Sequence, residues 1–387
     1  MVYLYVGFTL LWALFLAMVF WGQKKILSLD KLTARPEGDK LSVSVVIAVR
    51  NGESDIGETL KPLLGNLALN EIIVVNDRSS DKTQSILASL ERENKRLRII
   101  EITDLPAGWL GKVHAIDQGM KAATGDYVLF TDADVMIDST AIKKALSACL
   151  TYKLDHLGVL PRIERGGFFY NMMMSTSVFL FTVSSKPWVS VEKRDSAYVK
   201  GVGAFNFVKR ESFLKTAGFE WLKMDVADDV ALAQLMAMNG GRSMLMRAGE
   251  GRPSLHWYEN FKGMVYGLEK NIVGGFTNYR LSLVILIPFI SLLVSLLPAA
   301  GLFIPHPAVF YSAVVCFFLT ILFSLMVKKH SAFSFFEILF FPLGISVLGL
   351  ILVRSSVICF KNGGIKWSGS FYPLKELKAG TRVKLGL

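Results

Sequence analysis

The chain has 387 residues, 52% of them hydrophobic, which allows one large domain or two ordinary ones, with the apolar content gathered towards its two ends. Its 43 Lys and Arg against 32 Asp and Glu leave a net charge of +11, which suits an anionic leaflet or an anionic small molecule. The basic residues are dispersed and follow no recognition motif, which argues against nucleic acid as a partner; Cys149, Cys316 and Cys359 have no disulfide or zinc spacing and read as packing residues.

Val2 to Trp21 is an apolar run of membrane-spanning length followed by Gln23-Lys24-Lys25. No basic stretch precedes it and no small-residue cleavage pattern follows, so a retained anchor over 1–22 is expected rather than a signal peptide. The positive flank puts Lys24 onward in the cytosol. Leu27 to Lys40 is a polar linker with Pro36 and Gly38.

From Leu41 to about Leu160 strands alternate with helices. Val43–Val49, Ile72–Val75, Leu97–Ile102, Tyr127–Thr131 and His156–Leu160 are runs of strand formers. Helices are expected over Asp55–Leu64 (capped by Ser54), Asp81–Glu93 (capped by Ser80), Lys112–Ala123 and Thr140–Leu150. The alternation predicts an α/β fold, a mainly parallel sheet with helices on both faces. Ligands of such sheets sit beyond the carboxyl ends of the strands, where Asn51, Asp77 and Asp132 fall.

Gly166 to Lys186 is greasy but interrupted, and reads equally as a core helix or as an interfacial helix meeting a lipid. A strand over Ala204–Val208 and a helix over Asp228–Asn239, closed by Gly240, follow. Trp257 to Val273 has the mixture of a membrane-surface helix. The soluble domain therefore covers 41–275. Leu281–Phe303 and Ala308–Val327 are two spans, with Lys328-Lys329 marking a cytosolic return. Phe335–Phe360, broken by Pro342 and Gly344, closes a membrane region over 281–360. It could cross, leaving the basic tail 361–387 outside, or dip and return, leaving it inside.

The chemistry gathers in short motifs. Asp132-Ala-Asp134 ends an apolar strand and offers hard oxygen ligands for Mg²⁺ or Mn²⁺ held jointly with a diphosphate, though a lone Asp-x-Asp is common on surfaces. Asn76-Asp77-Arg78-Ser79-Ser80 is an acidic, hydroxyl-rich turn. It can cap the next helix, and Asp77 can also hydrogen-bond a base or ribose. Gly108-Trp-Leu-Gly111-Lys112 turns into a helix whose start and lysine both favour an anion. Asp228-Asp229 suits a helix N-terminus and also a general base beside a metal site. His256-Trp257 reads first as interfacial packing.

These motifs in this order, from about Val43 to Asn271, resemble the family-2 inverting glycosyltransferases of GT-A fold, here with N- and C-terminal transmembrane helices. The Trp109-Leu-Gly-Lys, Glu269-Lys-Asn271 and Trp367-x-Gly-x-x-Tyr372 stretches look like enzymes that glycosylate membrane lipids, such as ceramide glucosyltransferases and hopanoid- or carotenoid-associated bacterial enzymes. Asn76, Gly52 and Asp228 depart from the family's usual residues. The processive Gln-x-x-Arg-Trp motif is absent, with Pro253-Ser-Leu-His256-Trp257 roughly in its place.

The resemblance implies transfer of one sugar from a nucleotide sugar, UDP-linked donors foremost, to a hydroxyl of a membrane lipid. It puts Asp229 at the catalytic-base position and Arg50, Glu53, Asp77, Lys112 and Asp132 around the donor. Asp132 and Asp134 would hold Mg²⁺ or Mn²⁺, and Asp228, His256, Trp257 and the Phe168–Phe181 segment would face the acceptor. The protein is expected in the cell membrane, multi-pass, with its catalytic domain facing the cytosol. A processive polysaccharide synthase and a non-catalytic scaffold of the same fold are the competing readings.

Overall fold

The computed structural model describes residues 1–35, 38, 40–66, 69–186, 196–249, 251–329 and 331–385; Pro36 of the expected linker lies outside them. A seven-stranded sheet organises the domain in the order β3-β2-β1-β4-β7-β5-β8. Its strands are β1 (Val43–Val49), β2 (Glu71–Asp77), β3 (Leu97–Ile102), β4 (Tyr127–Asp132), β5 (His156–Leu160), β7 (Asn206–Lys209) and β8 (Ser243–Arg247). All neighbours run parallel except β7, which is antiparallel to both β4 and β5. A two-stranded pairing of β6 (Arg162–Ile163) with β9 (Ser254–Leu255) lies beside it.

Register brings the expected residues to one edge. Val49 pairs with Asn76 and Ala48 with Asp132, so the residues following β1, β2 and β4 leave the sheet at one level. Strand periodicity divides the core. Val45, Ile47, Ile72, Val74 and Leu129 enter the apolar layer under α2 (Ile56–Leu64), α3 (Thr83–Glu93) and α5 (Ser139–Tyr152). Val46, Ile73, Val75, Val128 and Phe130 enter the opposite layer, with α4 (Gly111–Ala122). Each such fully buried side chain contributes roughly 1.5–3 kcal/mol.

Two expected caps are replaced. The helix after β2 begins at Thr83, and Asp81, not Ser80, accepts from the Thr83 amide at 3.0 Å and the Thr83 hydroxyl at 2.6 Å. The helix after β1 begins at Ile56 without a side-chain cap, because the Ser54 hydroxyl donates to Asp55 instead. At the helix after β2 the Asp81 carboxylate is the stronger acceptor for the helix-start amide.

The second apolar layer continues without a break into the helices at the chain's ends: Trp12, Leu16, Phe179, Phe323 and Phe341 belong to the same buried cluster as Val46 and Phe130. Among the described residues, four helices are long and apolar enough to cross a membrane: α1 (Val2–Lys25), α10 (Leu281–Gly301), α11 (Pro307–Lys328) and α13 (Phe341–Asn362). The segment after Gly166 is one continuous helix, α6 (Phe168–Ser185), whose Tyr170, Met172, Met173 and Met174 are buried while Phe168 and Phe169 stay exposed. Between the domain and α10 lie α7 (Asp228–Met238), α8 (Phe261–Glu269) and α9 (Ile272–Thr277).

Contacts set the direction of each helix. Thr9 donates to Ser312 and the Trp12 indole to Thr320, so α1 and α11 run parallel and both end on the domain's side. The chain then enters the bundle again through α12 (Phe335–Leu339). Its continuation α13 starts beside Ser295 of α10, where the Ser295 hydroxyl donates to the Pro342 carbonyl. Further along, Ser346 donates to Ser291, and Arg354 reaches Glu269 at 2.6 Å. Since α10 leaves directly from the domain, α13 running back along it returns there. Both ends of the α12–α13 hairpin thus lie on the domain's side, matching the dip-and-return alternative. The break is at Phe340; Pro342 and Gly344 sit inside α13. After α13 come the antiparallel hairpin β10 (Gly364–Trp367) and β11 (Ser370–Pro373) and the helix α14 (Leu374–Gly380).

Candidate active site

Four side chains from three elements meet beyond the end of β4. Asp132 closes the strand, and its Oδ1 is 2.6 Å from Lys112 Nζ on the first turn of α4. Lys112 is 3.8 Å from Asp228 Oδ2 at the start of α7. Asp229 follows. Its Oδ2 accepts from the Gly203 amide at 2.9 Å and its Oδ1 from its neighbour Val230's amide at 2.8 Å. A small cavity holds the polar set Lys112, Thr131, Asp132, Gly203, Asn206, Asp228 and Asp229, with Ile116, Phe130, Phe219 and Leu232 as its apolar wall.

Local chemistry explains why these groups converge. Apolar β4 can only end where its polar residues begin, at Thr131 and Asp132, and the buried Thr131 hydroxyl is satisfied by the Ala204 carbonyl at 2.8 Å. Gly203 passes so close to the pair that a Cβ there would lie 2.8 Å from Asp132 Oδ2 and 3.4 Å from Lys112 Nζ. Behind the site, His156 Nε2 contacts Asn206 Oδ1 at 2.5 Å, and Asn206 Nδ2 donates to the Asp229 carbonyl at 3.2 Å. Burial pushes His156 down to about 4, so a neutral ring donates Nε2–H and fixes Asn206, which in turn fixes the backbone at Asp229.

Three carboxylates share one ammonium, and burial dominates the proton affinities of two of them. Desolvation first, against the pull of Lys112 and with the help of Asp229, pushes Asp228 up to about 7. Asp229 is also raised, chiefly by desolvation. Burial alone would lower Lys112, but Asp132 and Asp228 carry it well above the ordinary lysine range. Asp134 is open to solvent yet surrounded by protein mass, as at the mouth of a cleft. Loss of solvation and the Asp132 charge push it up to about 6. Lys200, buried nearby, is pushed down to about 8 by desolvation, with Asp229 opposing. Oxygen donors with excess negative charge suit a hard divalent cation. Among the described residues no three His, Cys, Asp or Glu side chains form a ready cage, so such an ion would take one or two carboxylates and complete its shell from a bound phosphate.

The remaining expected residues do not line this cavity. Asp77 pairs with Arg78, 2.7 Å from its Nε, and lies 3.9 Å from Arg50 Nη1. It meets the site through Gly111, where a Cβ would be 2.5 Å from Asp77 Oδ2; only glycine lets α4 start this close to the β2 loop. Glu53 is exposed and accepts from the Lys82 amide at 2.9 Å, tying the β1 and β2 loops together. His256 and Trp257 are exposed on the loop between β9 and α8 and do not line the cavity, whereas Asp228 lies in its centre. The next residue, Tyr258, is the one in the field of Asp134. Sequence reasoning passed over Arg78, Lys200, Asn206, Lys270 and Tyr372. Of these, Arg78, Lys270 and Tyr372 stand in stretches that the family resemblance had marked.

Residues 44–211 match the family model described as Glycosyl transferase family 2. The glucosyl-3-phosphoglycerate synthase of Mycolicibacterium smegmatis is 33% identical over 122 residues, 30% of this chain and 39% of that protein, well under two thirds of its length. The 4,4'-diaponeurosporenoate glycosyltransferase of Staphylococcus haemolyticus is 24% identical over 277 residues, 70% of each chain. Among solved structures, a mannosyltransferase from Pyrobaculum calidifontis in complex with GDP-Man and Mn²⁺ aligns with a TM-score of 0.52 at 15% identity, covering 92% of this chain and 95% of that one. At that identity what is shared is the fold.

Proposed function

From the premise that this chain carries a glycosyltransferase family 2 domain, we propose that it moves a single sugar from a nucleotide sugar to a hydroxyl of a membrane lipid, with inversion at the anomeric carbon. The observation that carries this reading is the shared cavity: Asp132, Lys112, Asp228 and Asp229 meet at the carboxyl end of the sheet, in a domain whose core is continuous with the membrane helices. An acceptor confined to a bilayer can then be reached without being extracted from it.

Asp229 is the base. It takes the proton of the acceptor hydroxyl as the oxygen attacks the anomeric carbon, and the bond to the diphosphate breaks on the opposite face. Its two backbone amide partners hold the carboxylate still, and its raised proton affinity suits the task. Asp77, Arg78 and Arg50 line the nucleoside end. Lys112 lies where leaving-group charge grows. Asp132 and Asp134 would hold Mg²⁺ or Mn²⁺, which when bound supplies further neutralisation of the diphosphate. The neighbour solved with GDP-Man and Mn²⁺ supports a nucleotide-sugar donor and a divalent cation, and the relative named for 4,4'-diaponeurosporenoate supports an apolar, lipid-like acceptor. The lysines at the domain-side ends of α1 and α11 favour a cytosolic domain.

Incubating the protein with radiolabelled UDP- and GDP-sugars, Mn²⁺ and a membrane lipid extract tests the reading. A mono-glycosylated lipid is expected. A long polymer would replace it with the synthase reading, and no turnover with any donor would point to a scaffold.

A further inference from the structure

The hairpin β10–β11 follows α13 after a single residue, Gly363, and lies against the nucleotide loops. The buried Tyr372 accepts the Gly111 amide at 3.1 Å with its phenol oxygen. Ser370 accepts from Arg78 Nη1 at 3.5 Å. Gly369, at φ +75°, passes Arg50 so closely that a Cβ would lie 3.1 Å from its Nη2. One short hairpin therefore touches the loops after β1 and β2 and the start of α4, all three walls expected to meet a donor.

Its remaining contact is with a cation. Trp367, paired across the hairpin with Ser370, presents its ring 4.9 Å from Lys270 Nζ at the end of α8. Lys270 is half-buried, and among the described residues no carboxylate lies within 4.0 Å of it, so the aromatic face is its support. It stands in the field of Lys112, Asp132, Asp228 and Asp134 and lacks a counter-ion of its own. Arg50, on the opposite side of the hairpin, has Nε and Nη1 buried without a hydrogen-bond partner. Two cations short of acceptors flank a strand pair pinned to a third, Arg78. A group with several anionic oxygens would satisfy them together.

We propose that the β10–β11 hairpin is a wall of the donor site, and that Lys270, carried on Trp367, binds the diphosphate of the nucleotide sugar. This rests on the donor reading above. Lys270 is then a binding residue and Trp367 a positioning residue. The hairpin joins the returning membrane helix α13 to the pocket.

The test uses the full chain in detergent, with UDP and GDP, each with Mn²⁺, titrated calorimetrically. Lys270→Ala is expected to raise Kd for the nucleotide that the wild type binds by about tenfold or more, the loss of a charge-assisted contact. Trp367→Ala should do the same, while Trp367→Phe, which keeps an aromatic face, should stay within about threefold of the wild type. A change below about threefold for Lys270→Ala overturns the proposal. So does a Trp367→Ala protein that loses binding-competent molecules while the remainder keep the wild-type Kd, the mark of a hairpin that only latches the fold. If the wild type binds neither nucleotide, the donor reading itself falls, an outcome seen before any variant is made.

Discussion

Two clusters of charged side chains among the described residues are built on opposite principles. Beneath α6, one carboxylate has all the partners it needs. Glu337 accepts from Arg165 Nη2 at 2.7 Å, from Asn171 Nδ2 at 2.8 Å and from the Ser334 amide at 2.6 Å, closing a capping box on α12. Beyond β4, Asp132, Asp228 and Asp229 share the single ammonium of Lys112. The first cluster is complete and fixes one helix to another. In the second, desolvation first and the neighbouring carboxylates next raise the proton affinity of Asp228 and Asp229 against the pull of Lys112, and a cation would relieve the crowding. On the proposed reading, satisfaction marks the structural cluster, and its lack marks the chemical one.

The sharpest way to break that contrast is Asp229→Asn. Transfer should fall by roughly 10²–10⁴-fold while UDP or GDP binding stays within about threefold, the loss of a general base. Transfer at the wild-type rate would make this cluster as structural as the other. Next, Asp132→Asn, or removal of divalent cations with a chelator, should weaken nucleotide binding by about tenfold or more, with Mn²⁺ restoring the chelated wild type but not the variant.

A smaller effect reads the surplus charge directly through stability. Asp228 has a folded pKa of about 7, above the ordinary carboxylate value, so the folded state holds its proton more tightly than the unfolded chain does. That contribution is fully present below about pH 4 and is lost as pH rises through 7. Asp228→Asn should therefore raise the melting temperature most at pH 8 without divalent cations, less at pH 5, and leave it nearly unchanged below about pH 4, as differential scanning fluorimetry would report. A lower Tm at pH 8 would mean that the Lys112 contact outweighs the desolvation. The smallest effect is expected in the satisfied cluster. Arg165 is half-exposed and leaves Glu337 two other donors, so Arg165→Ala should cost about 1 kcal/mol of stability with kcat unchanged.

Much of the sheet was legible because its strands are apolar, β-branched runs ending in polar turns. Val43–Val49, Leu97–Ile102 and His156–Leu160 stand where the pattern put them. Asp132 was legible for the same reason, since an apolar strand that stops at carboxylates advertises its own edge. The caps were misplaced because Ser80 and Asp81 compete for the same amides, and local pattern does not rank them. The continuity of α6 was hidden because its polar residues, Asn171, Ser175 and Thr176, face buried partners rather than water. Lys270 and Tyr372 owe their places to contacts across the whole chain, as between Gly111 and Tyr372, and no periodicity encodes those.

The distance along the chain between Gly111 and Tyr372, 261 residues, has a consequence for how the protein is made. A ribosome finishes the sheet and its acidic residues long before it reaches the hairpin, and three apolar helices must be delivered to the translocon in between. If the hairpin walls the donor site as proposed, the nascent chain carries an open, incomplete pocket throughout insertion. It closes only after α13 has turned back, so assembly in the bilayer precedes competence by the order of synthesis alone.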